Sequence, residues 1–175
     1  MTRRLRSCCV AAGLLVLCLA PAARAVEIPL RKPGLWEMRM VRSGSPLPEM
    51  TMQHCTDETT DKAMSAALSP MSKEVCSSND IRQTATGYVT DSVCSVAGLS
   101  MTSHSEISGD FNSAYTVTTT THGGHGAAGH DIAMTIEAKW LGACKPGQKP
   151  GDIVMPGGFK LNIRDAERLK GLVPK

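Results

Sequence analysis

The sequence predicts a mainly β fold: an antiparallel meander curling into an open barrel or sheet, with one short inserted helix and a C-terminal helix. Three observations predict it. Apolar and polar residues alternate with a period of two in several runs. The later runs are rich in Thr, Val and Ser and are separated by glycine-bearing turns. The one internal stretch with helical spacing is short and stops at Pro70.

The first 25 of the 175 residues stand apart from that fold. Arg3, Arg4 and Arg6, an apolar run from Cys8 to Ala20, and Ala23-Arg24-Ala25 read as a cleavable secretory signal, with the mature chain starting at Val26. That run of about 13 residues falls short of the roughly 20 that cross a bilayer, and no later stretch approaches the length. Cys18 follows Leu17 instead of a small residue, so the lipid-anchor pattern is missing. Leu5 and Arg6 do not match the twin-arginine export pattern either. The expected compartment is the periplasm, with no transmembrane segment after cleavage.

Charge and cysteine counts change once the leader is removed. Four arginines leave and no acid does, so fifteen basic residues face sixteen acidic ones, a charge of −1 in place of +3. The basic excess belongs to the leader, and nucleic acid is not an expected partner. Seven cysteines become four: Cys55, Cys76, Cys94 and Cys144. An even number in an oxidising compartment reads as two disulfides, with three connectivities open. Their spacings of 21, 18 and 50 contain no C-x-x-C, which argues against a zinc ribbon or a redox pair.

Residues 26–144 read as a β-rich, disulfide-stabilised domain, and 145–175 as a Pro/Gly-rich loop and terminal helix packing on it. In Leu35 to Val41, Trp36, Met38 and Met40 share one face, with Glu37 and Arg39 on the other. Ser43-Gly44-Ser45-Pro46 is turn chemistry, and Glu49 to Cys55 forms a second strand. A hairpin centred on Ser45 sets Met40 opposite Met50, Met38 opposite Met52 and Trp36 opposite His54. Thr56-Asp57-Glu58 follows as a helix start, with the Thr56 hydroxyl as cap and the acids in the positive first turn. Thr60, Ala63, Met64, Ala67 and Leu68 line one side of that helix.

Four strands come next, at about Val75–Ala85, Tyr88–Val96, Leu99–Ile107 and Ala114–Thr121, before a seventh from Ile132 to Trp140. Cys76 and Cys94 lie equally far from Ala85, in the turn Thr84-Ala85-Thr86-Gly87, so they become cross-strand neighbours. Cys55 with Cys144 follows by elimination. Residues 145–161 read as a loop, and Asn162 as the cap of a final helix with Ile163, Ala166 and Leu169 inward.

Lys32-Pro33-Gly34-Leu35-Trp36-Glu37, the Thr-acid helix after Cys55, Gly109-Asp110 before the Tyr115 strand, and Lys139-Trp140-Leu141-Gly142-Ala143-Cys144 form a recognisable set. Together they resemble a bacterial secreted family known only as domain of unknown function 3617. The resemblance spans about Pro33 to Cys144 and implies a periplasmic location, a Gram-negative source and a β-rich fold. It brings no activity, cofactor or catalytic residue.

Two constellations could carry chemistry. His122, His125 and His130 lie on a glycine-rich loop, and three imidazoles able to converge suit Cu(II), Ni(II) or Zn(II). Trp36, Met38, Met40, Met50 and Met52 share the face of the first hairpin, where thioethers fill a curved core, line a site for an apolar ligand, or serve as soft ligands for Cu(I). Ser103-His104-Ser105-Glu106 lacks a nucleophile geometry, because alternate residues of a strand point to opposite faces. Asp57, Glu58 and Asp61 are explained by the helix dipole. With no nucleophile elbow, P-loop or zinc-protease motif, no enzyme activity and no resident cofactor are expected. The expected function is a non-catalytic module that binds a small apolar ligand or an envelope protein. The rival is a metal-handling protein using the His loop, and a hydrolase with a dispersed site is the remote third.

Overall fold

Nine strands form one antiparallel sheet in the computed structural model, which describes residues 26–43, 48–64, 75–96, 98–123 and 131–165. They are β1 (Gly34–Ser43), β2 (Met50–Thr56), β3 (Cys76–Gln83), β4 (Gly87–Val96), β5 (Leu99–Asp110), β6 (Ala114–Gly123), β7 (Ile132–Gly142), β8 (Asp152–Val154) and β9 (Lys160–Asn162). The spatial order is β3-β4-β5-β6-β7-β1-β2-β8-β9, so among the described residues β3 and β9 are the edge strands and the sheet stays open. The meander expected from the sequence is interrupted twice, where β7 returns to pair with β1 and where β8 pairs with β2. The leader, Ala67, Leu68, Pro70, His125, His130, Ala166 and Leu169 lie outside the described residues.

The first hairpin takes the register that its turn chemistry implies: Met40 opposite Met50, Met38 opposite Met52, and Trp36 opposite His54. Cys76 and Cys94 are paired across β3 and β4 and joined by a disulfide, and Cys55 is joined to Cys144. Residues 145–161 differ from expectation. They contain β8 and the first two residues of β9, with a short 3-10 turn at Pro156–Gly158 between the two strands. Three-residue strands are too short to show alternation, and β8 is held by a distant partner, with His54 opposite Ile153 and Gln53 opposite Val154. Asn162 closes β9 and also caps the turn that begins at residue 163, accepting the Arg164 N–H at 2.9 Å.

The inserted helix is described over residues 58–64. Its cap is Asp57, not Thr56: Asp57 Oδ1 accepts the Thr60 N–H at 2.7 Å, and Thr60 Oγ1 accepts the Asp57 N–H at 2.9 Å. This reciprocal pair is a capping box with threonine in the third helical position. Those bonds favour the charged carboxylate, and Asp57 is held below the usual range, the Thr60 backbone N–H being the main cause.

Directly opposed residues share a face, so the register divides one side of the sheet into two zones. Across β4, β5 and β6 it carries hydroxyls, with Ser103 bonded to Thr121 at 3.1 Å and Ser105 to Thr119 at 2.9 Å. Across β7, β1 and β2 it carries Ile136, Met134, Met38, Met40, Met50 and Met52. Aromatics are scarce, and four of the six form one row at the junction: Trp36 against Tyr115 at 5.5 Å, Tyr115 stacked on Phe111 at 4.8 Å, and Phe111 edge-on to Tyr88 at 6.3 Å.

Candidate functional site

The methionine zone has a closed end and an open end. At the closed end Trp36 and His54 face each other across β1 and β2, both fully buried. Arg31, from the segment before β1, folds over them and is itself buried. Its Nε and Nη2 reach Asp61 Oδ1 at 2.7 and 2.6 Å, and its backbone N–H reaches Asp61 Oδ2 at 2.7 Å. Nη2 also lies 3.1 Å from His54 Nδ1, and Nη1 lies 3.7 Å from Met38 Sδ. The Tyr115 hydroxyl faces the same guanidinium, and burial raises its pKa. Asp61, read from the sequence as a dipole-complementing acid, is in fact the buried counter-ion of Arg31.

This arrangement fixes the chemistry of His54. An arginine can only donate, so Nδ1 accepts and the proton of the neutral ring sits on Nε2. Nε2 is buried and has no hydrogen-bond partner among the described residues. Burial, with the adjacent Arg31 charge adding to it, lowers the His54 pKa to about 4. A neutral ring with both nitrogens disposed this way offers no free lone pair, either to a metal or to a substrate proton. Sequence reasoning placed His54 on the methionine face but missed the cluster, because Arg31 and Asp61 reach it from 23 and 7 residues away.

The segment after Arg31 is pinned to the end of β7. Trp36 Nε1 donates to the Lys32 carbonyl at 2.8 Å, Trp140 Nε1 donates to the Pro33 carbonyl at 3.1 Å, and Lys32 Nζ sits 3.6 Å from the Trp140 ring centroid. Gly34, at φ +132°, passes so close that an added Cβ would overlap the Gly142 carbonyl oxygen and lie 2.7 Å from Trp140 Nε1. The Lys-Pro-Gly-Leu-Trp and Lys-Trp-Leu-Gly runs are therefore two halves of one junction. A family model described as "Protein of unknown function (DUF3617)" matches residues 31–144, which span that junction and both disulfides. The chain belongs to the DUF3617 family. No curated protein and no solved structure matches it.

At the open end of the DUF3617 domain the methionines are half-buried. Met40 and Met50, with Pro48, Pro156, Arg42 and Glu49, surround a cavity of about 340 Å³. Trp36, named from the sequence among the ligand-lining residues, is fully buried with its N–H committed, so it underlies the face without lining it. Of the loop histidines, only His122 is among the described residues. Its Nδ1 is hydrogen-bonded to Asp131, and its ring is exposed. His104 has a similar carboxylate, Asp91 Oδ1 at 2.7 Å from Nδ1, and that bond chiefly raises its pKa. His104 and His122 border one shallow hollow on the opposite side of the sheet from Ser105. Among the described residues no three His, Cys, Asp or Glu side chains are grouped to hold a metal ion.

Proposed function

We propose that this DUF3617 protein is an exported, non-catalytic binding module that holds a small apolar ligand against the open end of its methionine face. One observation carries the reading: the half-buried row Met38, Met40, Met50 and Met52 runs into a cavity of about 340 Å³ walled by Met and Pro. That volume lies within the range of small-molecule sites, about 300–1,000 Å³. Thioether side chains are polarisable and adaptable, which suits an apolar ligand of variable shape. Export to the periplasm is supported by the leader pattern and the two disulfides. No helix among the described residues is long and apolar enough to cross a membrane. The non-catalytic reading is supported by the histidines: each is bonded to a charged group, and none to a Ser or Thr hydroxyl, among the described residues.

Native mass spectrometry of the mature protein from a periplasmic extract tests the reading, together with fluorescence of the neutral probe N-phenyl-1-naphthylamine. A retained organic ligand, or probe enhancement lost in Met40→Gln/Met50→Gln, is the expected result. A bare protein that leaves the probe dark would overturn it.

A second reading, a metal-handling protein, is favoured by one specific contact. The Asp131 carboxylate on His122 Nδ1 is the outer partner that metal-binding imidazoles commonly have. His125 and His130 would complete the set. A sub-micromolar copper or nickel site, lost when all three loop histidines are replaced, is the expected signature. Unchanged metal uptake by that variant sinks it.

A further inference from the structure

The two charged residues at the mouth of the apolar cavity are not equivalent. Glu49 is already paired, because the Arg39 guanidinium binds both of its carboxylate oxygens through Nε and Nη2. Arg39 in turn also bonds Glu137 at 3.0 Å. Arg42 borders the same cavity, is exposed, and has no ion pair or hydrogen bond among the described residues. Register places it on the same side of the sheet as Met40 and opposite Met134 of β7. Among the described residues the cavity thus combines apolar walls with one positive charge at its rim that has no ion-pair partner.

We propose that this cavity binds a free single-chain anionic amphiphile of the fatty-acid class. The chain lies against Met40, Met50, Pro48 and Pro156, and the carboxylate pairs with Arg42. A guanidinium presents parallel N–H donors that match the two oxygens of a carboxylate, which gives the charged head a defined place. The Glu49 carboxylate is held by Arg39, which strand alternation places on the other side of the sheet from Met40 and Arg42. A cationic head, by contrast, would meet Arg42 without compensation. This assignment rests on the apolar-ligand reading above and adds the head group to it.

The test uses the mature chain, residues 26–175, with displacement of N-phenyl-1-naphthylamine by dodecanoate, dodecanol and dodecyltrimethylammonium below their aggregation limits. Dodecanoate is expected to compete at a concentration about tenfold lower than dodecanol, and the cationic amphiphile to compete worst. Arg42→Gln, at an exposed position, is expected to remove the advantage of dodecanoate and leave dodecanol unchanged, which also reports that the variant is folded. Equal competition by dodecanol and dodecanoate, or full dodecanoate affinity in Arg42→Gln, overturns the head-group assignment while the apolar reading stands. Binding to anionic phospholipid vesicles without binding to monomeric dodecanoate also overturns it. If wild-type protein takes up neither the probe nor any amphiphile, both proposals fall.

Discussion

Arg31 is held on several sides at once, by Asp61, His54 and Met38, so its energetic role emerges when one partner is removed. A buried pair offers little over well-packed apolar residues, but breaking it leaves a charge without compensation. Asp61→Asn should therefore destabilise the fold by about 3–5 kcal/mol. Arg31→Met/Asp61→Leu should cost less than that single change, as read by urea unfolding of all three proteins. His54 adds a pH dependence to the same cluster. Its folded pKa of about 4 lies below the roughly 6.5 of an unfolded imidazole, so the unfolded chain takes up the proton first as the pH falls. Its contribution is complete above pH 6.5 and is lost between 6.5 and 4, amounting to about 3 kcal/mol. His54→Asn keeps an acceptor near the position of Nδ1 but cannot titrate. Its urea midpoint should change less across that window than the wild-type midpoint does. Equal slopes would show that His54 is not the titrating group.

At the scale of elements, the short helix depends on its entry. Asp57 and Thr60 cap each other, and Asp57→Ala should cost about 1 kcal/mol in thermal unfolding, because it removes the acceptor for the Thr60 N–H. Most strands of the meander were readable because they are long enough to alternate or are rich in Thr, Val and Ser, with glycines near most of their ends. The β1–β2 register was readable because one hairpin turn sets every pair. β8 and β9 were not, since three residues carry no period and β8, on which β9 pairs, has its own partner β2 about a hundred residues upstream. The cap was misplaced by one residue because Thr56 and Asp57 are both good cap residues. Only the fold shows that Thr56 belongs to β2, buried beside Thr60. The candidate site divides in the same way. The methionines were legible from hairpin register, whereas the cavity at their end needed Pro156, brought in by the short turn between β8 and β9.

For the whole molecule, the two disulfides hold different spans. Cys55–Cys144 joins residues 89 apart, and Cys76–Cys94 joins residues only 18 apart. In the chain-entropy view these are worth about 4.5 and about 3 kcal/mol respectively. Cys55→Ser/Cys144→Ser should therefore lower the urea midpoint more than Cys76→Ser/Cys94→Ser does. The reverse ranking would mean that the short bridge holds the edge strand β3 in a way that loop entropy does not capture. The long bridge also acts where the sheet is most composite: it ties β2 to the residues just after β7, on the two sides of β1.

That central position of β1 has a consequence for how the chain comes together. A polypeptide emerging N-terminus first, from a ribosome or through a membrane, presents β1 and β2 early. Trp140 and Gly142, the neighbours that close the other side of β1, arrive about a hundred residues later. Through all of that interval a strand carrying Leu35, Trp36, Met38 and Met40 has an unsatisfied edge, able to recruit the same strand of another molecule. Completion of the sheet is therefore a late, long-range event. Yield should fall with the concentration of nascent or refolding chains before any loss is seen in the stability of the finished protein.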